Sequence, residues 1–549
     1  MSFNLAELFE SVANAVGDRT AVVTPARSLT YRALDDRASR LAQHLAGAGI
    51  GEGDHIGLQL LNGTEYLEGM LAAFKLRAVP VNINHRYVER ELLHLFDDAD
   101  LVALVVDASF ASRVAAVAPR IPSLSHIVVV GGESPDVDLD AVPYEAVLAS
   151  TTPPASFAGR SGDDLYIAYT GGTTGMPKGV VWRHEDIFFA ALGGGDPLLD
   201  KGPIGTPDEL PLRVPDFPVT QLCAPPLMHV SAHWGAFNTF FGGGTVVLLG
   251  GAAFDGREAC AAIGENGVNV LTVVGDAMAR PVLDALADDP GAYDTSSLFV
   301  FASGGALLSP ATKARIGELL PAVMVVDAFG SSETGIAGSN AGAVGARFTA
   351  DDRTAVLGED LGPVTPGSGE IGRIARRGHI PLRYHKDEAK TAATFVTIDG
   401  ERWSLPGDMA TVDDDGTIVL LGRGSGSINT GGEKVFPEEV EAVLKGHPGV
   451  LDVLVVGTPD ERWGERVTAI VQPASDAMPT LEALTAFARD DLAGYKLPRR
   501  LLLVDEVRRG PNGKPDYGWA KAHAGAPTNG RHNHAEPPGD EAHDHDLPP

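Results

Sequence analysis

Helical and strand patterns alternate along the chain as far as about residue 330, and this alternation limits what it can fold into. Residues 4–16 have the apolar spacing of an amphipathic helix, and Leu41–Ala48 belong to a second one. Short apolar runs lie between and after them, at Thr20–Val23, His55–Leu61 and Val102–Val106. Such runs are typical of buried strands, and strands that alternate with helices form mostly parallel sheets. We therefore predict an α/β fold.

The length of the chain predicts more than one domain. Domains usually have about 100–200 residues, and this chain has 549. Three glycines between Gly422 and Gly426 have the composition of a hinge. We predict a large N-terminal domain of layered α/β subdomains at 1–422, a hinge at 423–427 and a small, mobile C-terminal α+β domain at 428–523. The remaining residues, 524–549, are polar and rich in His and Pro, and we expect a disordered tail.

One internal segment, residues 193–226, is crowded with Pro and Gly. It has no helical or strand periodicity over its length. Irregular segments this long are usually functional or mobile loops, and we expect a loop here.

The composition excludes several classes of partner and compartment. The net charge is −30, whereas nucleic acids and anionic membranes are bound through clustered Lys and Arg. We expect no nucleic-acid partner, while peripheral contact with a membrane stays open. The two cysteines, Cys223 and Cys260, provide no disulfide framework. There is neither a signal-peptide pattern nor a run of about 18 apolar residues. We therefore expect a soluble, cytoplasmic protein, with a homodimer as one alternative for its oligomeric state.

The segment Tyr169–Val180, with the sequence YTGGTTGMPKGV, is the strongest local signal. It follows a short apolar run, Leu165–Ala168. Glycines allow backbone N–H groups to converge on an anion, threonine hydroxyls add donors, and Lys178 adds a positive charge. This combination predicts a polyphosphate site, although it is not the common P-loop pattern, because Pro177 precedes Lys178 and Gly179 follows it. A plain glycine-rich turn is the alternative.

A second group of motifs lies farther along the chain. Phe329–Gly335, FGSSETG, offers an aromatic ring for a purine, hydroxyls for phosphate and a carboxylate, Glu333, for Mg²⁺. The same letters also describe an ordinary helix cap. Ser303–Ala306 ends an apolar run where a ligand can approach the backbone. Asp408 lies in a turn and either binds ribose hydroxyls or stabilises that turn.

Taken in order, these motifs resemble the adenylate-forming superfamily, which includes acyl-CoA synthetases, luciferases and the adenylation domains of peptide synthetases. The resemblance spans residues 5–522. It rests on five motifs in register, which are YTGGTTGMPKGV, FGSSETG, the Gly407-Asp408 turn, GRGSGSINTGGEKVFPEEVE and the Gly513-Lys514 pair. It implies the adenylate-forming fold and an enzyme that uses ATP and Mg²⁺ to activate a carboxylic acid, with coenzyme A as the default acceptor.

The resemblance also implies where the reactants bind. ATP and AMP are expected at Thr170, Gly171, Gly172, Thr173, Thr174, Gly175, Lys178, Gly305, Ala306, Asp327, Phe329, Gly330, Ser331, Ser332, Asp408 and Arg423. Catalytic roles are implied for Lys514, Glu333, His229 and Lys434, and Glu333 is the implied Mg²⁺ ligand. Lys514 matches the lysine that contacts the carboxylate and the α-phosphate, and His229 matches a histidine near the reacting carboxylate. Coenzyme A is expected at Gly431, Gly432, Lys434 and Lys496.

The chain departs from the family pattern at two places. Ser425 and Gly426 stand where the family usually has a Lys followed by a hinge Asp. Around Lys514 the family's hydroxyl residue is missing, although the lysine itself is kept. Both changes concern the rotation of the small domain. Ser425 and Gly426 also motivate a remote alternative, a non-catalytic sensor that binds a nucleotide.

Longer segments such as WRHEDIFF and VVGDAMARPVLDAL are similar to actinobacterial ligases that activate the cholesterol side chain. This similarity implies a C26 steroid carboxylate of the 3-oxocholest-4-en-26-oate type as the substrate. A general medium- or long-chain fatty acyl-CoA synthetase is the alternative. The acyl pocket is expected along His229–Phe241 and Gly275–Pro281. Gly242–Gly244 either leave room there for a wide ligand or allow tight strand packing.

Overall fold

The structure is a computed structural model of the chain. It describes residues 1–131, 139–153, 156–170, 176–196, 201–251, 253–306, 308–341, 346–430, 433–460, 463–474, 478–489, 491–510 and 514–525. In chain order its helices are α1 (Leu5–Val16), α2 (Tyr31–Gly47), α3 (Thr64–Leu76), α4 (Glu89–Asp98), α5 (Ala111–Val117), α6 (Tyr144–Ser150), α7 (His184–Ala191), α8 (Leu210–Arg213), α9 (Val230–Phe241), α10 (Gly256–Asn266), α11 (Gly275–Asp288), α12 (Pro310–Leu319), α13 (Glu388–Thr394), α14 (Pro437–Leu444), α15 (Leu481–Ala488) and α16 (Tyr517–Gly525).

The strands are short, and most of them alternate with helices in the first 330 residues. They are β1 (Thr20–Val23), β2 (Ser28–Thr30), β3 (His55–Gln59), β4 (Val79–Asn82), β5 (Leu101–Asp107), β6 (His126–Val130), β7 (Val142–Pro143), β8 (Leu165–Thr170), β9 (Lys178–Arg183), β10 (Thr220–Cys223), β11 (Thr245–Val247), β12 (Val270–Val273), β13 (Val300–Gly304), β14 (Met324–Ser331), β15 (Gly335–Ala341), β16 (Arg347–Phe348), β17 (Thr354–Leu357), β18 (Gly372–Arg377), β19 (Arg383–Tyr384), β20 (Phe395–Ile398), β21 (Glu401–Ser404), β22 (Asp408–Val412), β23 (Ile418–Arg423), β24 (Ile428–Thr430), β25 (Glu433–Val435), β26 (Val450–Asp460), β27 (Gly464–Pro473) and β28 (Arg500–Leu503).

The chain divides into two compact units, a large one and a small one. The large unit is Met1–Arg423 together with Arg509–Lys514. The small unit is Gly424–Arg508 together with the chain after Lys514. The predicted domain limits of 1–422 and 428–523 stay predictions. Of the residues predicted for the small domain, Arg509, Gly510 and Lys514 lie in the large unit.

Three sheets build the large unit. The first sheet has the strand order β15-β14-β13-β12-β10-β11-β1-β2, and its strands from β14 to β1 are all parallel to their neighbours. The second sheet has the order β19-β9-β8-β4-β3-β5-β6-β7 and is parallel from β8 to β7. The third sheet joins β16–β18 and β20–β23 and is antiparallel throughout. The predicted α/β class with mostly parallel sheets is therefore confirmed, while the antiparallel third sheet was not predicted.

The first helix illustrates why the local pattern predicts these elements well. The side chain of Asn4 accepts hydrogen bonds from the N–H groups of Ala6 and Glu7 and so caps α1. Leu8, Phe9 and Val12 are buried along one face of the helix, as amphipathic spacing requires. They belong to the main core, which also contains the buried faces of α2, α3 and α9.

Strand β10 corrects the expectation of a continuous loop over residues 193–226. Its four residues, Thr220–Cys223, lie between β11 and β12 in the interior of the first sheet. Leu222 and Cys223 are fully buried there. A run of four residues between prolines is too short to show periodicity, and only the flanking strands identify it as part of the sheet.

The small unit contains one sheet of its own. β25, β24, β27 and β26 are antiparallel neighbours, and β28 pairs with β27 in parallel. Helix α14 packs beside this sheet, and the carboxylate of its Glu441 accepts hydrogen bonds from the Val455 N–H and the Tyr517 hydroxyl. Within the described part of the chain, no helix combines the length and the apolar character needed to cross a membrane.

Candidate active site

Four parallel strands of the first sheet end at one edge, and the segments after them carry much of the predicted site. β10, β12, β13 and β14 run in the same direction. Beyond their carboxyl ends lie His229 after β10, Gly275 after β12, Gly305 and Ala306 after β13, and Glu333 after β14. Open α/β sheets bind their ligands at this edge. The fold thus brings residues predicted for adenine, carboxylate and Mg²⁺ to the same edge.

The turn after β13 is shaped by one serine. The Ser303 hydroxyl accepts the Gly275 N–H at 2.9 Å and donates to the Ala306 carbonyl at 2.7 Å. Gly305 has φ +88°, a conformation that favours glycine. A Cβ at this position would meet only Val274, at 4.0 Å. The backbone of Gly305 is therefore accessible to a flat ligand such as a purine.

The end of β14 combines an aromatic side chain with a glycine that cannot be replaced. The ring of Phe329 packs against Phe348, with 5.4 Å between the centroids. The register between β14 and β15 shifts after Phe329. A Cβ on Gly330 would overlap with the carbonyl of Gly335, so this position requires glycine. The residues predicted for phosphate, Ser331 and Ser332, follow this shift directly in the sequence.

Asp327, which was also predicted to bind the nucleotide, is engaged within the protein. Its carboxylate is buried and lies 2.6 Å from the Nζ of Lys313. The Leu308 N–H donates to the same carboxylate at 3.3 Å. Burial raises the pKa of Asp327, and the hydrogen bond and charge of Lys313 oppose this rise. These contacts link β14 to α12, and a nucleotide role for Asp327 stays a prediction.

Three side chains from the other two sheets fix Ser332 and Glu333. The indole of Trp182 on β9 donates to the Ser332 carbonyl at 2.9 Å. The Ser404 hydroxyl on β21 donates to the Glu333 carbonyl at 2.7 Å. The Tyr384 hydroxyl on β19 donates to Oε1 of Glu333, also at 2.7 Å. The carboxylate of Glu333 is therefore oriented by its surroundings before any ligand binds.

This oriented carboxylate fits the requirements of Mg²⁺. Mg²⁺ prefers oxygen ligands and usually takes one or two carboxylates, with water and substrate phosphates completing its coordination. Among the described residues, no group of three or more His, Cys, Asp or Glu side chains is arranged to hold a metal. Glu333 stays the predicted Mg²⁺ ligand, with the nucleotide phosphates as further oxygen ligands.

Strands β8 and β9 form the hairpin that carries the predicted phosphate loop. Thr170 and Lys178 are opposite each other at the end of the hairpin where the predicted loop joins the two strands. Gly179 must be glycine, because a Cβ there would lie 2.8 Å from the ring of Tyr169. The predicted loop residues Gly171, Gly172, Thr173, Thr174 and Gly175 lie outside the described residues.

Lys178 forms an ion pair with Asp387. Asp387 is the N-cap of α13, and its carboxylate also accepts the Lys390 N–H at 2.9 Å. The pKa of Asp387 is lowered, chiefly by the hydrogen bond from Lys178. The predicted phosphate-binding lysine is thus held by a carboxylate that lies 209 residues away in the sequence.

A buried asparagine connects the hairpin to the segment that carries His229. The Asn82 carboxamide accepts the Tyr169 N–H at 2.7 Å and donates to the Tyr169 carbonyl at 2.8 Å. It also donates to the Met228 carbonyl at 2.8 Å. Tyr169 precedes Thr170, and Met228 precedes His229. Asn82 therefore sets the distance between the predicted phosphate loop and the predicted carboxylate site.

His229 is neutral over the physiological pH range. Its pKa is lowered to about 3, chiefly by burial and also by the positive charges of Lys514 and Arg86. Its Nε2 has no hydrogen-bond partner among the described residues. Depending on the tautomer, this nitrogen of the neutral ring is a donor or an acceptor, and the ring carries no positive charge. The neighbouring His233 is different, because it bonds the Leu227 carbonyl at 2.8 Å and the Tyr166 hydroxyl.

Asp408 and Arg423 are the residues predicted to bind the ribose. They are opposite each other in the antiparallel register of β22 and β23. Asp408 is buried. Asp408 begins β22 and Arg423 ends β23, so the pairing of these strands brings the two residues side by side. Two residues that bind the same ribose must lie close together in this way.

The predicted coenzyme A residues of the small unit lie on different elements. Lys434 is exposed on β25. The Nζ of Lys496 lies 2.5 Å from the Glu439 carboxylate on α14. Nearby in the sequence, the Arg499 guanidinium lies over the ring of Trp463 at 4.6 Å. Gly431 and Gly432 lie outside the described residues.

Comparison with known families agrees with this geometry. The model of the family described as AMP-binding enzyme matches residues 9–382, and the model of its C-terminal domain matches residues 439–514. The chain belongs to the AMP-binding enzyme family. The predicted resemblance to adenylate-forming enzymes is therefore confirmed.

Relatives of this AMP-binding enzyme match it over nearly its whole length. It is 46% identical to a 3-oxocholest-4-en-26-oate–CoA ligase of Rhodococcus rhodochrous, over 96% of each chain. It is also 46% identical to a medium/long-chain-fatty-acid–CoA/3-oxocholest-4-en-26-oate–CoA ligase of Mycobacterium marinum, over 95% of this chain and 96% of that one. The fold matches the crystal structure of the anthranilate CoA ligase AuaEII in complex with anthranoyl-AMP. That comparison gives a TM-score of 0.83 at 24% identity, over 95% of this chain and 97% of the other.

The acyl-pocket prediction for this AMP-binding enzyme needs one correction. Gly243 and Gly244 do not leave room for a ligand. A Cβ on Gly243 would overlap with Val214, and one on Gly244 would overlap with the Val219 carbonyl and lie 2.9 Å from Thr239. The alternative interpretation of these glycines, tight packing, agrees with the structure.

Sequence reasoning missed four residues that hold the site of the AMP-binding enzyme together. They are Asn82, Trp182, Tyr384 and Asp387. Each is polar or aromatic and contacts residues far away in the sequence. The signal that could have found Asn82 is a polar side chain at the end of a buried strand, because such a group needs a partner.

Proposed function

We propose that this AMP-binding enzyme is an acid–CoA ligase that activates a carboxylic acid with ATP and transfers the acyl group to coenzyme A. The observation that carries this proposal is the meeting of His229, Gly305 and Glu333 at the carboxyl edge of the first sheet. An acid and a nucleotide must bind side by side for the carboxylate to reach the α-phosphorus. The names of the full-length relatives support the same reaction class.

In the first step a carboxylate oxygen attacks the α-phosphorus of ATP. A bond forms between that oxygen and phosphorus, the bond from the α-phosphorus to the bridging oxygen breaks, and pyrophosphate leaves with that oxygen. Such phosphoryl chemistry depends on positioning and charge neutralisation. Lys178 would hold the β- and γ-phosphates, and Lys514 the carboxylate and α-phosphate. Glu333 would hold Mg²⁺, which neutralises phosphate charge when bound.

Neutral His229 would orient the acid rather than exchange a proton with it. A pKa of about 3 leaves the imidazole unprotonated where carboxylates are ionised. Its ring N–H can donate to one carboxylate oxygen while the other attacks. Asp408 and Arg423 would bind the ribose hydroxyls, and Gly305 and Phe329 would enclose the adenine.

In the second step the coenzyme A thiol attacks the acyl carbonyl carbon. The carbon–sulfur bond forms, the bond from that carbon to the phosphate oxygen breaks, and AMP leaves while the thiol proton passes to solvent. We assign Gly431, Gly432, Lys434 and Lys496 to this step. A site that serves two reactions in turn agrees with a small domain that moves between them.

For the substrate we propose a C26 steroid side-chain carboxylate of the 3-oxocholest-4-en-26-oate type. Identity of 46% over nearly the full length to a ligase named for that acid supports this choice. A second candidate is a medium- or long-chain fatty acid, because the relative from Mycobacterium marinum is named for both kinds of acid.

We also propose a cytoplasmic location and keep the homodimer as a prediction. Both cysteines are buried free thiols, as is usual for proteins of reducing compartments. Light scattering after size-exclusion chromatography would determine the oligomeric state directly.

The reaction is tested by pyrophosphate release from purified enzyme with ATP, Mg²⁺ and a panel of acids, each with and without coenzyme A. The panel runs from acetate through palmitate to a C24 and a C26 steroid acid. We expect turnover that is greatest with the C26 acid and yields the thioester only when coenzyme A is present. A preference for straight chains would favour the second candidate. Absence of pyrophosphate with every acid would favour a nucleotide sensor and overturn the ligase proposal.

A further inference from the structure

The ion pair between Lys178 and Asp387 places a carboxylate in contact with the lysine predicted to bind the nucleotide phosphates. Both side chains are accessible to solvent, with 45% of Lys178 and 25% of Asp387 exposed. Accessible ion pairs contribute little to stability, because water screens the charges. The pair is therefore a weak contact that an incoming phosphate can replace.

The carboxylate of Asp387 and the ammonium group of Lys178 differ in how far they can move. Asp387 is fixed on one side by α13, because its side chain caps that helix through the Lys390 N–H. It is fixed on the other side by β19, which pairs with β9. The His385 N–H also donates to the Gly179 carbonyl at 2.8 Å, next to Lys178. The carboxylate is thus held in place, while the four-carbon side chain of Lys178 can turn from one anion to another.

The two other lysines near Asp387 have contacts of their own, although the charge of Lys390 also acts on Asp387. The Nζ of Lys386 lies 2.7 Å from the Asp100 carboxylate. The Nζ of Lys390 lies 4.0 Å above the ring of Tyr384. Asp387 is the only carboxylate found in an ion pair with Lys178 among the described residues.

We propose that Asp387 competes with phosphate for the ammonium group of Lys178 and thereby promotes the release of pyrophosphate. This inference rests on the proposed role of Lys178 in binding the β- and γ-phosphates. When the triphosphate binds, Lys178 moves to it from the carboxylate. After the α-phosphorus has been attacked, Asp387 takes Lys178 back, so that pyrophosphate loses a cationic contact. Asp387 is a positioning residue that acts through Lys178.

The test is a calorimetric titration of the full-length enzyme with magnesium pyrophosphate, without acid or coenzyme A. Asp387→Asn removes the charge but keeps the cap, because Asn and Asp cap helices about equally well. The matched control is Glu388→Gln, which removes one charge from the next residue, an exposed position of α13. We expect Asp387→Asn to tighten pyrophosphate binding by about two- to fivefold, the size expected for an exposed pair, and Glu388→Gln to leave binding unchanged.

Equal affinities of Asp387→Asn and the wild type would overturn the proposal. So would equal tightening by Glu388→Gln, because the effect would then be a general one of charge. Unchanged thermal unfolding of both variants verifies that the helix cap is intact. The titration does not depend on turnover. If the wild type released no pyrophosphate with any acid but the titration gave the expected shift, the ligase proposal would fail, while the competition between Asp387 and phosphate for Lys178 would stand.

Discussion

The side chain of Asn82 hydrogen-bonds both the N–H and the carbonyl of Tyr169, in the place of the backbone of a neighbouring strand. Its carboxamide accepts the Tyr169 N–H at 2.7 Å and donates to the Tyr169 carbonyl at 2.8 Å. β4 and β8 pair at Val81 and Ile167, and beyond this point the side chain continues the contact. The second carboxamide hydrogen is then available for Met228. One buried side chain therefore joins three segments of the candidate active site.

We predict that Asn82→Asp slows adenylation by about 10- to 100-fold, because a misplacement of about 1 Å in a catalytic site can cost that much. The aspartate keeps the shape but loses both donated hydrogen bonds. The rate of pyrophosphate release at saturating ATP and acid measures the effect. Asn62→Asp is the matched control, since the hydrogen bond of the Asn62 side chain within the described residues is one that it accepts, from the Leu227 N–H at 2.8 Å. An Asn82→Asp enzyme as fast as Asn62→Asp would contradict the prediction.

The hydroxyl of Tyr384 orients the proposed Mg²⁺ ligand. We predict that Tyr384→Phe raises the Mg²⁺ concentration for half-maximal adenylation by about tenfold, as is typical when a group that orients a metal ligand is lost. The phenyl ring keeps its packing against Phe395. Tyr144→Phe is the control, because Tyr144 donates a similar hydrogen bond to a buried carboxylate, Glu68. An equal Mg²⁺ requirement in both variants would show that Tyr384 does not act on the metal.

Local patterns account for the elements that the sequence predicts correctly. Thr20–Val23 forms β1, with the predicted limits. The helix predicted at residues 4–16 corresponds to α1 together with its N-cap residue. The contacts that hold the site could not be predicted, because they join distant residues. Tyr384 and Glu333 are 51 residues apart in the sequence. Such pairing depends on the order of strands in three sheets, which a single sequence does not specify.

Buried histidines make the fold sensitive to acid. Burial lowers the pKa of His233 to about 4, below the value of about 6.5 in an unfolded chain. Between these values the unfolded state binds a proton that the folded state does not, so stability falls as the pH falls from about 6.5 to about 4. We predict that His233→Gln removes about 2 kcal/mol of the loss in unfolding free energy between pH 8 and pH 5. Urea unfolding at both pH values measures it, and an identical loss in both proteins would contradict the assignment.

The two lysines assigned to different steps can be separated by half-reactions. We predict that Lys514→Ala slows pyrophosphate release by about 100-fold, the usual cost of losing a group that stabilises developing charge. It should still convert a supplied acyl-adenylate to the thioester. Lys434→Ala should behave in the opposite way, with normal pyrophosphate release and slow thioester formation. If Lys514→Ala formed the acyl-adenylate at the normal rate, the role assigned to this lysine would be wrong.

Substitution of Gly244 tests whether the glycines after α9 serve packing or substrate binding. A Cβ at this position would overlap with the Val219 carbonyl and lie 2.9 Å from Thr239. We predict that Gly244→Ala lowers the free energy of unfolding by about 1–3 kcal/mol, the usual cost of overpacking a core. Chemical unfolding followed by circular dichroism measures this change.

The matched control is Gly317→Ala, because a Cβ on Gly317 in α12 would meet no atom within 4 Å. Alanine should stabilise this helix by about 0.5–1 kcal/mol, since it is the better helix former. If packing is the only role of Gly244, the preference between palmitate and the C26 steroid acid stays the same in Gly244→Ala, even though the protein is less stable. If Gly244→Ala had normal stability and accepted palmitate but rejected the steroid acid, Gly244 would be assigned to the acyl pocket instead.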